Sequence, residues 1–297
     1  MMIKEAFNFA NNGDEFYTRM GDIAKELQNY NLSNMVVYCN CDNPMKSNFY
    51  KYFKANFRKL GIRKLLATYK SNDPLLIEYD GIEEKRTRIS SGDFQDNIGI
   101  LDICDVVVTN PPYSNGMLVE FIDTMLSLRK GFLIVGSLNI ITKKKIFEYV
   151  KNGLIHVGYT SINSFGREDG SSSNSASCWW TNLGGDKPFL GTNCRYDERM
   201  YPKYDNYDAI DCCKVSIIPN NYNGVIGVPI RFITKYNPKQ FELLGILNHP
   251  RVNGKSIMSR ILIRNKNVSE GIKTIRITEN SYKRIFLTNK KSLRINS

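Results

Sequence analysis

Histidine is scarce in this chain: His156 and His249 are the only two among 297 residues. The seven cysteines are odd in number and include no Cys-x-x-Cys pair, so a structural zinc site lacks both ligands and spacing. No run of 18 apolar residues occurs, and the opening MMIKEAFNFANNGDEFY has no signal-peptide apolar stretch. The expectation is a cytoplasmic, reduced chain with no membrane association. No P-loop, no Ser-His-Asp or Cys-His arrangement and no acidic cluster suited to Mg2+ is present. Nucleotide triphosphate chemistry and triad hydrolysis are left without residues to carry them.

Acid is also short. Asp and Glu total 29 against 41 Lys and Arg, a net charge of +12 with a pI near 9.3. Such an excess favours a polyanionic partner held through phosphate contacts, although a coding bias toward Lys would raise the same number. Hydrophobic content of 42% and charged content of 24% exclude a disordered or fibrous chain. At this length a single core stops growing, which predicts one substantial domain and a smaller second region.

Along the chain, Ile23, Leu27 and Tyr30 fall at helical spacing in a helix over 18–30, with Thr18 available as its cap. MVVYC (35–39) reads as a strand. Phe49, Phe53, Phe57 and Leu60 make a second helix stopped by Gly61, and KLLATY (64–69) is a second strand. This strand, helix, strand order begins a parallel α/β sheet. Asp80-Gly81 marks a hairpin over 75–90. DVVVTN (105–110) is the cleanest buried strand, followed by a helix over 117–128 and the strand GFLIVG (131–136). LIHVGYTSINSF and ASCWWTNL are the last strands, joined by an exposed Ser-rich stretch over 166–175. Of the adjacent Trp179 and Trp180, one is expected to face the core and the other outward. The α/β rhythm then fades, which puts a domain boundary near 185.

The chemistry concentrates at Asn110-Pro111-Pro112-Tyr113, directly after the DVVVT strand. Adenine N6 is a poor nucleophile because its lone pair is delocalised into the ring. Accepting hydrogen bonds from both amino hydrogens favours a more electron-rich nitrogen. The Asn110 carbonyl offers one acceptor, and two prolines stiffen the turn so that the Pro111 backbone carbonyl offers the other. Tyr113 supplies a ring on which an extruded adenine stacks. The turn sits at the carboxyl end of a buried parallel strand, where open α/β sheets bind ligands. The plain alternative is a Pro-Pro turn that only ends a strand.

With these residues in view, the chain resembles the EcoRI-type adenine-specific DNA methyltransferase family over nearly its whole length. The matching stretches are DEFYT (14–18), VVYCNCDNP (36–44), SNFYKYF (47–53), TNPPYS (109–114), WWTNL (179–183), GVPIRFITKYNPKQF (227–241) and NGKSIMSRILIR (253–264). NPPY is shared by many methyltransferases; DEFYT, YCNCD and VPI-x-F-x-x-KYNP together are far more specific. The resemblance implies a Rossmann-like sheet, with S-adenosylmethionine bound by a catalytic domain over 1–185. It implies a DNA target-recognition region over 186–297, double-stranded DNA as partner, no metal, and a restriction-modification or orphan modification role, any cognate restriction endonuclease being a genetic rather than physical companion.

It also implies roles for single residues. Asp14, Phe16, Tyr17 and Thr18 stand where related enzymes close over the methionine end of the cofactor. Cys39, Asn40, Cys41 and Asp42 replace the usual Gly-rich loop after the first strand, with Asp42 suited to the cofactor's α-amino group. Asp93 and Phe94 match the site of the cofactor adenine, and Phe165 the aromatic that meets the flipped base. Tyr69-Lys70 stands where relatives carry an acid for the ribose. Plain readings exist beside these: a helix start for DEFYT, packing for Cys39 and Cys41, a turn cap for Asp93, core for Phe165. The competing functions are an RNA adenine methyltransferase, a glutamine N-methyltransferase using the same turn, and a catalytically silent DNA-binding cofactor sensor. The missing Gly-rich loop and the +12 charge speak against the second, the intact NPPY against the last.

Overall fold

The computed structural model describes residues 17–41, 43–69, 71–92, 96–111, 115–166 and 172–267. Asp14, Phe16, Asp42, Asp93, Phe94, Pro112 and Tyr113 lie outside the described residues. Two compact units divide the chain: Met1–Ile140 with Asn152–Gly184, and Ile141–Lys151 with Gly185–Ser297.

The first unit is an α/β sheet of the Rossmann-like kind. Its strands are β1 (Val36–Cys39), β2 (Lys64–Ala67), β3 (Leu75–Tyr79), β4 (Glu84–Arg88), β5 (Val106–Thr109), β6 (Gly131–Ser137), β7 (His156–Gly166) and β8 (Ser172–Thr181). They lie in the order β4-β3-β2-β1-β5-β6-β8-β7. The central β2-β1-β5-β6 block is parallel, while β3 and β4 at one edge and β8 and β7 at the other run antiparallel to their neighbours. VVYC and VVVT are buried at every position, as a parallel strand covered on both faces requires.

Helices α1 (Met20–Leu27), α2 (Asn48–Ala55), α3 (Phe57–Leu60), α4 (Ile98–Ile103) and α5 (Asn115–Ser127) complete the unit. The helix expected to run unbroken to Leu60 splits at Asn56, whose side chain turns back to donate to Tyr52 O at 2.9 Å. The two tryptophans correct another expectation, since both are fully buried. They do point to opposite faces, but both faces are covered. Trp179 meets Phe49 of α2 edge-on at 6.0 Å, and Trp180 shares the space above Gly136 with Leu118 of α5. The Ser-rich loop read over 166–175 is corrected at its two ends, because β7 runs on to Gly166 and β8 begins at Ser172; residues 167–171 lie outside the described residues.

The second unit contains α6 (Lys144–Lys151) and a sheet that periodicity did not reveal. Strands β9 (Lys203–Tyr204), β10 (Tyr207–Asp211), β11 (Ile226–Pro229), β12 (Phe241–Leu247) and β15 (Arg260–Asn265) lie in the order β12-β15-β11-β10-β9. A two-stranded ribbon, β13 (Arg251–Val252) and β14 (Lys255–Ser256), sits between β12 and β15 in sequence. Strands this short, one ending in Pro229, carry too few alternations to read. Inside this sheet Asp211 accepts from Arg260 Nε and Tyr204 Oη, each at 2.8 Å. Gly227 is required there, because a Cβ would lie 1.9 Å from the Tyr204 hydroxyl oxygen. The KYNPKQF stretch fastens the preceding chain: Asn237 donates to Lys187 O, and the Gln240 carboxamide pairs with both Leu190 N and Leu190 O. Much of this recognisable stretch therefore holds the fold together.

Candidate functional site

β1 has β2 on one side and β5 on the other, so the strand order reverses there. In open α/β sheets ligands bind in the crevice at the carboxyl ends of such a strand pair. Cys39-Asn40 and Thr109-Asn110 occupy those two ends. They are joined by a hydrogen bond that spans the switch point, from Thr109 Oγ1 to Asn40 O. On the other side, Thr68 N donates to Cys39 O at 3.2 Å, and Thr68 Oγ1 shares a hydrogen bond of 2.5 Å with the Tyr38 hydroxyl. Burial pushes the Tyr38 phenol above its ordinary pKa, so it stays protonated at neutral pH. Neither Thr68 nor Thr109 was singled out from sequence. Thr109 stands inside TNPPYS, but its role depends on β1 and β5 being neighbours, which spacing along the chain does not state.

The loop after β1 does without glycine yet keeps a glycine-like backbone. Cys41 adopts φ 81, in the left-handed region that side chains with a Cβ rarely enter. Such outliers persist where surrounding structure holds them, and they concentrate at ligand sites. The loop then turns into α2, where Ser47 Oγ caps by accepting from Phe49 N at 3.2 Å. Cys39 itself belongs to the core, while Cys41 is half-buried.

Two buried polar groups here lack the partners that folding normally supplies. Asn40 is 1% exposed, and among the described residues neither its Oδ1 nor its Nδ2 has a hydrogen-bond partner. Leaving such a group unmatched costs about 1–3 kcal/mol, which a stable fold tolerates where a ligand completes it. Thr18 is equally buried, and its hydroxyl is also unmatched. The structure corrects its reading as a helix cap: the N-cap of α1 is Arg19, with no side-chain cap bond. Asn48 of α2 donates to Thr18 O at 2.8 Å, which ties the Thr18 segment to the helix that follows the β1 loop.

Of the other candidates, Asn110 is 6% exposed and Pro111 is buried, directly beyond β5. Tyr17 is half-buried beside Thr18. Phe165 is 1% exposed and grouped with the core around Ile162 and Trp179, so its ring offers no open face. Tyr69 is half-buried just past β2. Among the described residues no cluster of His, Cys, Asp and Glu could hold a metal ion, and no helix is long and apolar enough to cross a membrane.

Comparison with known proteins adds an independent line. The model of the family described as adenine-specific methyltransferase EcoRI matches residues 6–91 and 75–290. The chain is 37% identical to the type II methyltransferase M.EcoRI of Escherichia coli, over 86% of this chain and 94% of that one. It is 36% identical to the type II methyltransferase M.MgeORF184P of Mycoplasma genitalium, over 80% and 84%. It is 33% identical to the type II methyltransferase M.MpnI of Mycoplasma pneumoniae, over 84% and 88%. No solved structure matches the chain.

Proposed function

The chain belongs to the EcoRI family of adenine-specific methyltransferases, and from that premise we propose how its residues divide the work. It is a DNA adenine methyltransferase. The β1 end holds S-adenosylmethionine and the β5 end holds the base. The observation that carries this division is the hydrogen bond from Thr109 to Asn40 O. It brings Asn110 to within one residue of a strand end whose buried carboxamide has no described partner.

When bound, S-adenosylmethionine supplies the electrophilic methyl group. Asn40 and Thr18 satisfy their unmatched groups on it. Tyr17, Cys39 and Cys41 are assigned to the same site, together with Asp14, Phe16, Asp42, Asp93 and Phe94, as the family resemblance implies. The adenine leaves the duplex at a cost of a few kcal/mol, because its amino group cannot be reached inside the stack. Asn110 Oδ1 and Pro111 O would accept hydrogen bonds from the two amino hydrogens, which would raise electron density on N6 and fix its orientation toward the cofactor's methyl group. Pro112 stiffens the turn, and Tyr113 stacks on the base. Phe165 joins as a base contact only if the chain covering it moves when DNA binds. Residues 186–297 supply target recognition.

The test is single-turnover transfer of labelled methyl from S-adenosylmethionine to duplex DNA, followed by nucleoside analysis. The label is expected on N6-methyladenine. Label on cytosine, on protein, or on RNA alone overturns the reading.

A further inference from the structure

β12 and β15 are antiparallel neighbours, yet residues 248–259 between them do not close as a short turn. They build the β13–β14 ribbon, with Arg251 opposite Ser256 and Val252 opposite Lys255. Asn253 and Gly254 form its tip at φ 51 and φ 74, the left-handed pair that the tightest hairpin turn uses. The tip is clamped from outside. The two carboxylate oxygens of Asp205 accept from Asn253 N and Gly254 N, each at 2.8 Å, and Asp205 N donates to Arg251 O at 3.0 Å. In the pair next to the tip, Val252 is buried with Tyr204, Ala209 and Leu262. A connection that only joined two strands has no need of this fixation.

What the ribbon presents follows from its register. Val252 points inward, so Arg251 beside it in the strand, and Ser256 across from Arg251, point away from the core, while Lys255, across from Val252, leaves from the inward face and reaches solvent at the ribbon's side. Arg251, Asn253, Gly254, Lys255 and Ser256 are all exposed. Residues 248–259 contain Arg251 and Lys255 and no acid of their own, the one carboxylate against the ribbon, Asp205, being engaged by the two N–H groups of the tip, and among the described residues neither cation makes an ion pair. Met258 is the one large exposed apolar side chain of the segment, too little for an apolar protein contact. A rigid, narrow, cationic ribbon with hydrogen-bonding side chains on its outer face fits a polyanion that displays donors and acceptors in a groove. The major groove of B-DNA admits a two-stranded ribbon.

We infer that β13–β14 enters the major groove of the target duplex, with Arg251 and Ser256 on base edges and Lys255 on a phosphate. This goes beyond the proposed function and rests on it. The experiment uses the full chain with Arg251→Ala, Arg251→Lys and Lys255→Ala. Methylated sites are mapped by methylation-sensitive long-read sequencing, and duplex binding is titrated against salt. Arg251→Ala is expected to lower the preference for the correct base at one position by roughly ten- to a hundredfold. Arg251→Lys should not restore it, because an ammonium cannot make the two-pronged contact. Lys255→Ala should weaken all sequences alike and reduce the salt slope by about one. An unchanged site pattern in Arg251→Ala, or full restoration by Arg251→Lys, overturns the inference. A wild-type protein that binds DNA but leaves adenine unmodified defeats the proposed function instead. The ribbon is then still judged by whether Arg251→Ala loses preference between duplexes.

Discussion

Two polar side chains lie equally deep in the first unit and meet opposite fates. Glu26 of α1 is fully buried, and its carboxylate accepts from Tyr30 Oη at 2.6 Å, Tyr159 N at 2.8 Å, Thr160 N at 2.7 Å and Thr160 Oγ1 at 2.5 Å. Burial and then the neighbouring carboxylate push the Tyr30 phenol above its ordinary pKa, so it remains a donor. Gly158 is part of the same fit, since a Cβ there would lie 2.2 Å from Glu26 Oε1. Asn40 is just as buried, yet no described group meets its carboxamide. The α1–β7 contact is finished by folding alone; the carboxyl ends of β1 and β5 are not. A polar group that folding leaves unmatched at a switch point marks where a ligand is due.

Substitutions can break or sharpen this contrast. The largest effect is expected from Glu26→Ala, which strands buried backbone donors and should cost roughly 2–5 kcal/mol in denaturant unfolding. A loss no larger than that of a surface substitution would erase the distinction. Asn110→Ala acts on function instead. It removes an acceptor for the N6 hydrogens and should slow single-turnover methyl transfer by roughly a hundredfold or more, with cofactor affinity unchanged in calorimetry. Thr109→Val removes the bond to Asn40 O and should cost about 0.5–1.5 kcal/mol, read as a shift in melting temperature, with Thr109→Ser recovering it.

The smallest effect lies at the β3–β4 edge, where Glu84 is a partly solvated counterpart of Glu26. Burial disfavours its charge, but hydrogen bonds from Lys54, Arg86 and Tyr50 outweigh that and hold its pKa at about 2. A lowered carboxylate pKa gives stability that is complete above the ordinary value of 4.5 and fades as pH falls toward 2. Melting temperature should fall over that window, and Glu84→Gln should flatten that part of the profile.

The sequence made the parallel sheet legible because VVYC, LLA, VVVT and FLIV are buried on both faces and stand out as unbroken apolar runs. The position of Asn110 at the carboxyl end of β5 was legible for the same reason: a Pro-Pro turn directly after such a run has one place to be. Thr109, Thr18 and the second sheet were not. The bond from Thr109 to Asn40 joins residues 69 apart in the chain. Thr18 before an amphipathic stretch looks like a cap until the helix starts at Met20 with Arg19 in the cap position. An outward tryptophan was expected of the pair Trp179 and Trp180, but alternation states only that two neighbours face opposite ways, not that one way is solvent. The short strands of the second unit are held by side-chain bonds such as Arg260 to Asp211 and the Gln240 carboxamide to the Leu190 backbone, which leave no periodic trace.

The central claim is that the unmatched carboxamide of Asn40 awaits S-adenosylmethionine, and thermal melting with and without that cofactor tests it most directly. The wild-type protein should melt higher when the cofactor is added, as binding to the folded state alone requires. Asn40→Leu should melt at or above the wild-type temperature without cofactor, because an unsatisfied buried amide is gone, and should lose most of the cofactor-induced rise. An Asn40→Leu protein that melts well below wild type unliganded, yet keeps the full rise, would contradict the account.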